Sequence, residues 1–136
     1  MSQTITLKTI EKPKEKDTIQ DIDWMCDSFG LVTGRDTENT SARIFSDLLS
    51  KLSHGITVSS DLLADDLRIS HARVNHHLRN LAGTGIVYRE HRFIFLRGGT
   101  LKSAVEELRK DAIRIFDELE CIAEEIDNSI GLKNRT

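Results

Sequence analysis

A chain of 136 residues, 30 % charged and only 5 % aromatic, has room for one small aliphatic core and an accessory element. No apolar run approaches the roughly 20 residues that span a bilayer, and the first sixteen residues lack the apolar centre of a signal peptide. Two cysteines, Cys26 and Cys121, without a C-x-x-C pair predict reduced thiols in a cytoplasmic protein with no membrane partner.

The net charge of −3 conceals a division. Residues 1–39 and 101–136 each carry three more acids than bases. Residues 40–100 hold eight bases (Arg43, Lys51, Arg68, Arg73, Arg79, Arg89, Arg92, Arg97) against five acids (Asp47, Asp61, Asp65, Asp66, Glu90). A basic centre in an acidic chain is what a phosphate backbone would meet.

In chain order, residues 1–16 read as a solvated tail, although the alternation of Ile5, Leu7 and Thr9 also suits a short strand. Ile19, Ile22, Cys26 and Phe29 form one helical stripe, with Thr18 and Asp21 as a capping arrangement and Gly30 as the stop. The stretch from Leu31 to Thr40 reads as a loop. Residues 40–53 form a second helix on the stripe Ile44, Leu48, Leu52, widened by Phe45 and Leu49 and ended by Gly55. Ile56, Thr57 and Val58 are β-prone.

Residues 59–87 carry two short helices joined by a tight turn. Leu62, Leu63, Ala64 and Leu67 are the apolar residues of the first; Val74, Leu78 and Leu81 stripe the second, with Ser70 as its N-cap. Stepping 100° per residue from that stripe turns Ala72, His76 and Arg79 outward, with Arg73, Asn75 and Asn80 beside them and His71 at the N-terminal end. His77 projects toward the edge of the core. No acid occurs between Ile69 and Arg89, as a helix lying between two rows of phosphates requires. Arg suits guanine, Asn adenine, and Ala a thymine methyl. Residues 86–97 then read as two strands turning near Glu90 and His91, placing Arg89, His91 and Arg92 at a tip that meets phosphates or the minor groove. This order predicts a mainly α fold with a small β-hairpin wing: a winged helix-turn-helix over residues 37–99, after an N-terminal tail and docking helix over 1–36.

Beyond Gly98 and Gly99 the period changes. Leu101, Val105, Leu108, Ala112, Ile115, Leu119, Ile122 and Ile126 are spaced alternately four and three, an a/d seam on a helix roughly 40 Å long over residues 100–130. A second copy of the same helix is the economical cover, so these residues are expected to dimerise the chain. The alternative is a helix folded back on the N-terminal helix and the winged domain. Ile113 and Phe116 lie off the seam and suggest that the first helix, or its copy from the partner, packs there.

Residues 42–97 resemble the winged helix of the ArsR-type regulators, in the broader ArsR/MarR grouping. The resemblance rests on Val74, His76, His77 and Leu78 in the recognition helix and on Gly85, Ile86 and Val87 leading into the wing. It implies a homodimeric DNA-binding repressor, released in such families by a metal ion or a redox change. Two features depart from the pattern. Arg68 stands where a turn glycine is usual, at a cost of about 1 kcal/mol if the backbone there is left-handed. The metal signatures are also missing: Asp65 and Asp66 replace a Cys-x-Cys, and the last helix has no histidine.

His71, His76 and His77 do not converge on one helix face, so no metal site and no cofactor are expected. Cys121 falls outside the seam, where a redox role is open to it, and Cys26 reads as a core thiol. The pairs Glu106-Glu107 and Glu124-Glu125 read as a solvated helix face. No catalytic constellation appears, which argues against an enzyme. The expectation is a sequence-specific transcription regulator binding a palindromic site in double-stranded DNA as a homodimer. The alternative is a winged helix serving as a protein-interaction module of the transcription machinery.

Overall fold

A computed structural model describes residues 3–31 and 39–133. Five helices and three short strands follow in the order α1 (Thr18–Ser28), α2 (Thr40–Ser53), β1 (Val58–Ser59), α3 (Ser60–Leu67), α4 (His71–Thr84), β2 (Val87–Glu90), β3 (Phe93–Leu96) and α5 (Leu101–Ile130). The fold is mainly helical, with a small antiparallel sheet of order β1-β3-β2 and a long C-terminal helix. The loop expected from Leu31 to Thr40 falls mostly on residues 32–38, outside the described residues.

Local chemistry sets the boundaries. Asp17, one residue before the expected cap, closes the start of α1 by accepting from the Ile19 amide at 2.9 Å. Ser59 caps α3 through Leu62 N–H, Ser70 caps α4 through Arg73 N–H, and Thr100 caps α5 through Ser103 N–H. Gly85, at φ 93°, and Gly131, at φ 77°, end α4 and α5 in the left-handed conformation that glycine adopts without strain. The hairpin pairs Val87 with Leu96 and Glu90 with Phe93, so its turn is His91-Arg92, one residue beyond the expected position.

The core lies between α2, α3, α4 and the sheet. Ile44, Phe45, Leu48, Val58, Leu63, Val74, Leu78, Leu81, Ile86 and Ile94 are buried there. In α1, Ile22 and Cys26 reach this core, whereas Ile19 remains 69 % exposed, so the stripe read from the sequence is shorter than its period. Lys51 of α2 bridges Asp47 at 2.8 Å and Asp66 of α3 at 2.6 Å, joining the two helices at their edge.

The first described residues are not a solvated tail. Residues 3–10 form no strand, yet they run as a strap across the body. Thr4 N–H donates to Gly83 C=O at 3.0 Å, Lys8 N–H to Ser28 C=O at 2.7 Å, and the Trp24 indole N–H to Ile10 C=O at 3.0 Å. Ile5 packs against the core. The strap is anchored by a polar cluster around Asp111 of α5, which is only 4 % exposed. Arg97, just past β3, grips this carboxylate with both terminal nitrogens, Arg114 donates to Oδ1 at 3.0 Å, and Gln3 to Oδ2 at 2.9 Å. Gln3 Nε2 also donates to Thr84 C=O at the end of α4, at 2.8 Å. The hydrogen bonds from Arg97, working against burial and aided by Gln3, hold the Asp111 carboxyl well below the usual carboxylate range.

Arg68, the C-cap of α3, sits at φ 56°, ψ 45°, so the residue that replaces the usual turn glycine is left-handed. Its side chain is exposed. Arg68→Gly is expected to raise stability by about 1 kcal/mol, read as a higher urea midpoint at unchanged slope. Asp111→Asn is expected to do the opposite. Breaking a buried ion pair costs about 3–5 kcal/mol. The Arg97 side chain is 30 % exposed, so solvent screening reduces the expected loss at pH 7 to about 2 kcal/mol. A depressed carboxylate stabilises fully above its unfolded value of about 3.9 and loses that contribution as pH falls toward its native value. Urea titrations at pH 7 and pH 3 should therefore show the gap between wild type and variant shrinking in acid.

Candidate nucleic-acid interface

Helix α4 presents two faces of different chemistry. Val74, Leu78 and Leu81 are buried, while Ala72, His76 and Arg79 are exposed on the opposite side. His71 and Arg73 are exposed at its first turn, next to the exposed cap Ser70; Asn75 and Asn80 lie half-buried at the flanks. His77 belongs to the interior: its Nδ1 lies 2.7 Å from Ser41 Oγ, and the Ser41 hydroxyl donates to Leu31 C=O at 3.0 Å. With that hydroxyl proton committed, the imidazole donates its Nδ1–H to Oγ. His76 meets the His77 ring edge-on at 5.2 Å between centroids and keeps its own exposure.

The hairpin is fastened to the same surface. Arg89 of β2 donates to Asn75 Oδ1 of α4 at 2.8 Å, so Arg89 stands back from the tip and couples strand to helix. The tip itself is His91-Arg92, both exposed, with His91 at φ 60°. Tyr88 and Phe95 stack across the hairpin at 5.5 Å, which stiffens it between tip and base.

Several of the basic side chains are engaged within the chain. Arg97 is spent on Asp111, Arg43 donates to Leu67 C=O at 3.3 Å, and Arg73 donates to Thr40 Oγ1 at 3.0 Å. Arg79 and Arg92 carry no ion pair among the described residues, leaving full charges toward solvent. The acid-free interval of the sequence does not survive folding. Helix α3 sets Asp61 2.9 Å from His71 Nδ1 and Asp65 3.8 Å from its Nε2, so two exposed carboxylates flank the start of α4. Their i, i+4 spacing on the preceding helix was the available signal.

The apolar seam of α5 divides into two parts. Leu108 is 3 % exposed, buried in its own chain beside Ala104, and Leu101 packs on the same core with α1 at its side. Leu108 is therefore covered by its own chain and Leu101 partly so. Val105 and Ala112 are half-buried. Beyond them the helix does not fold back. Ile115, Leu119, Ile122 and Ile126 are exposed, with Ile113, Phe116 and Ile130 beside them. Phe116 meets the strap rather than α1: Ile5, Leu7, Ala112, Ile115, Phe116 and Leu119 line an open groove of about 430 Å³.

Asp111, Gln3 and Arg97 were not legible as partners in the sequence. Asp111 does lie three residues from Leu108 and seven from Ala104, on the face that meets the body. Cys26 is buried and Cys121 exposed. Among the described residues no three His, Cys, Asp or Glu side chains are grouped as a metal site would require, and no helix is long and apolar enough to cross a membrane. Comparison with known proteins finds no matching family model, no matching curated protein and no matching solved structure.

Proposed function

We propose that this chain is a winged helix-turn-helix protein that binds double-stranded DNA and regulates transcription as a homodimer, in the manner its resemblance to ArsR-type regulators implies. One observation carries the reading. The Arg89–Asn75 hydrogen bond fastens the hairpin to the solvent face of α4, so Ala72, His76 and Arg79 of the helix and Arg92 of the tip belong to one surface. In this reading α4 enters the major groove, Arg79 reaches base edges or phosphates, and Arg92 meets the backbone beside it. Asn75, engaged by Arg89, orients the wing and reads bases only if that bond opens.

Asp61 and Asp65 favour a second reading, a protein-interaction module, because carboxylates beside the start of α4 oppose a phosphate. Salt separates the two. Contact with n phosphates lowers the logarithm of affinity by about 0.9n per decade of salt. A titration of duplex DNA from 50 to 200 mM salt should show such a slope, and Arg79→Ala and Arg92→Ala should each reduce it by about one contact. A flat profile would leave only the protein-interaction reading.

A further inference from the structure

We infer that a recess at the junction of α4, β2, the strap and α5 binds a small amphipathic organic anion. Its charged head lies on Arg79 and Arg114, its apolar body against Tyr88 and the open flank of Gly83. The recess has a volume of about 730 Å³, within the range of ligand pockets, which combine a mostly apolar wall with a few placed polar groups. That wall is Ala82, Gly83, Val87 and Tyr88. Tyr88 is 45 % exposed while its ring is held by the stack on Phe95, so it offers an ordered aromatic surface.

Charge selects the sign of the ligand. Three guanidinium groups line the recess, those of Arg79, Arg97 and Arg114, against the single carboxylate of Asp111. Arg97 is taken up by Asp111 and lies 3.8 Å from Glu107. Arg114 gives Asp111 one nitrogen at 3.0 Å and keeps its side chain 66 % exposed. Arg79 carries no ion pair among the described residues. Even with Glu107 counted, bases exceed acids, so an anion meets a net attraction here. Arg79 stands three and four residues before Ala82 and Gly83, on one face of α4, and Arg114 projects from α5. A carboxylate or phosphate head can accept from planar donors on both elements.

Gly83 is a second, independent indication. It lies in the last turn of α4, where glycine weakens a helix relative to alanine. No backbone constraint demands it: its φ is not left-handed, and a Cβ there would meet no atom within 4 Å. Gly85, by contrast, is left-handed, and its Cβ would stand 2.5 Å from Gln3 Nε2. The fold accounts for Gly85, whereas Gly83 is accounted for by the room it leaves in the recess. Arg79 also belongs to the surface that α4 shares with the hairpin. One further step rests on the DNA-binding reading: an anion held by Arg79 withdraws that guanidinium from phosphate and weakens DNA binding.

Calorimetric titration of the full chain with phenyl phosphate and with phenylacetate tests the site without DNA, and the tighter of the two identifies the head group. Benzyl alcohol, which lacks the anion, and inorganic phosphate, which lacks the apolar body, should bind at least about tenfold more weakly. Equal binding of inorganic phosphate, or no binding of either phenyl anion at millimolar concentration, would overturn the inference. Arg114→Gln should lower affinity for the phenyl anion about tenfold, as the loss of a charge-assisted hydrogen bond does. Gly83→Leu should abolish binding by filling the recess, with unchanged circular dichroism. Unaltered binding by both variants would put the anion elsewhere and sink the proposal. In a duplex titration at constant ionic strength, saturating phenyl anion should weaken the wild type several-fold and leave Gly83→Leu unaffected. Anion binding without that effect would overturn the coupling. Anion binding by a chain with no affinity for DNA would refute the proposed function and leave the site standing, and salt-dependent DNA binding without anion binding would do the reverse.

Discussion

The carboxylate of Asp111 holds together parts of the chain that have no other reason to meet. Gln3 comes from the first residues, Thr84 from the end of α4, Arg97 from the end of β3, and Arg114 from the next turn of α5. A buried ion pair adds little net stability over a well-packed apolar substitute. What this one supplies is direction. Arg97 bound through two nitrogens fixes the angle at which α5 leaves the sheet, and Gln3 closes the strap over the junction. No buried polar side-chain atom among the described residues lacks a partner, so the network carries no desolvated orphan. The same contacts set where the stripe of α5 changes from covered to bare, because Asp111 is the last buried residue of that helix.

The surface of α4 depends on a different economy. A basic centre of eight Lys and Arg residues sounds generous, but Arg97 and Lys51 neutralise acids of the scaffold and Arg89 braces the hairpin. Of the exposed arginines that remain, Arg79 and Arg92 lie on the surface that the hairpin and helix share, without an ion pair among the described residues. Bracing has a benefit that charge counting misses. A hairpin whose guanidinium is already hydrogen-bonded to the helix would lose less freedom on meeting a ligand, so fewer ordering costs would oppose binding.

The order of elements was legible because their signals are local. The stripes of α2 and α4, the cap Ser70, the stop at Gly85 and the β-prone run before α3 each depend on a few neighbouring residues. What stayed hidden depends on distance in sequence. The strap is bound by backbone groups, which leave no residue signature, and its Lys and Thr content resembles a solvated tail. Asp111 looks like one more surface acid because its partners lie 14 and 108 residues away. Asp61 and Asp65 belong to a different helix from the one they affect. The heptad spacing marks an apolar stripe, but spacing carries no information about which stretch the chain's own body covers. That division decides which residues remain for a partner.

The two halves of α5 therefore answer to different sources of stability. Residues as far as Asp111 are fixed by the core and by Arg97, whatever the concentration of the chain. From Ile113 onward the helix projects with its apolar side chains in water, and a segment of under 20 residues has little intrinsic helical stability to offer. Burying an Ile or Leu side chain fully gives about 1.5–3 kcal/mol, so covering this stripe would both order the distal helix and join the copies. If a second copy provides the cover, the surface of α4 is formed in the monomer, whereas the spacing between two such surfaces exists only in the pair. If α4 binds DNA as proposed, a monomer would then keep single-site, salt-dependent contact, and selectivity for a two-part site would grow with chain concentration.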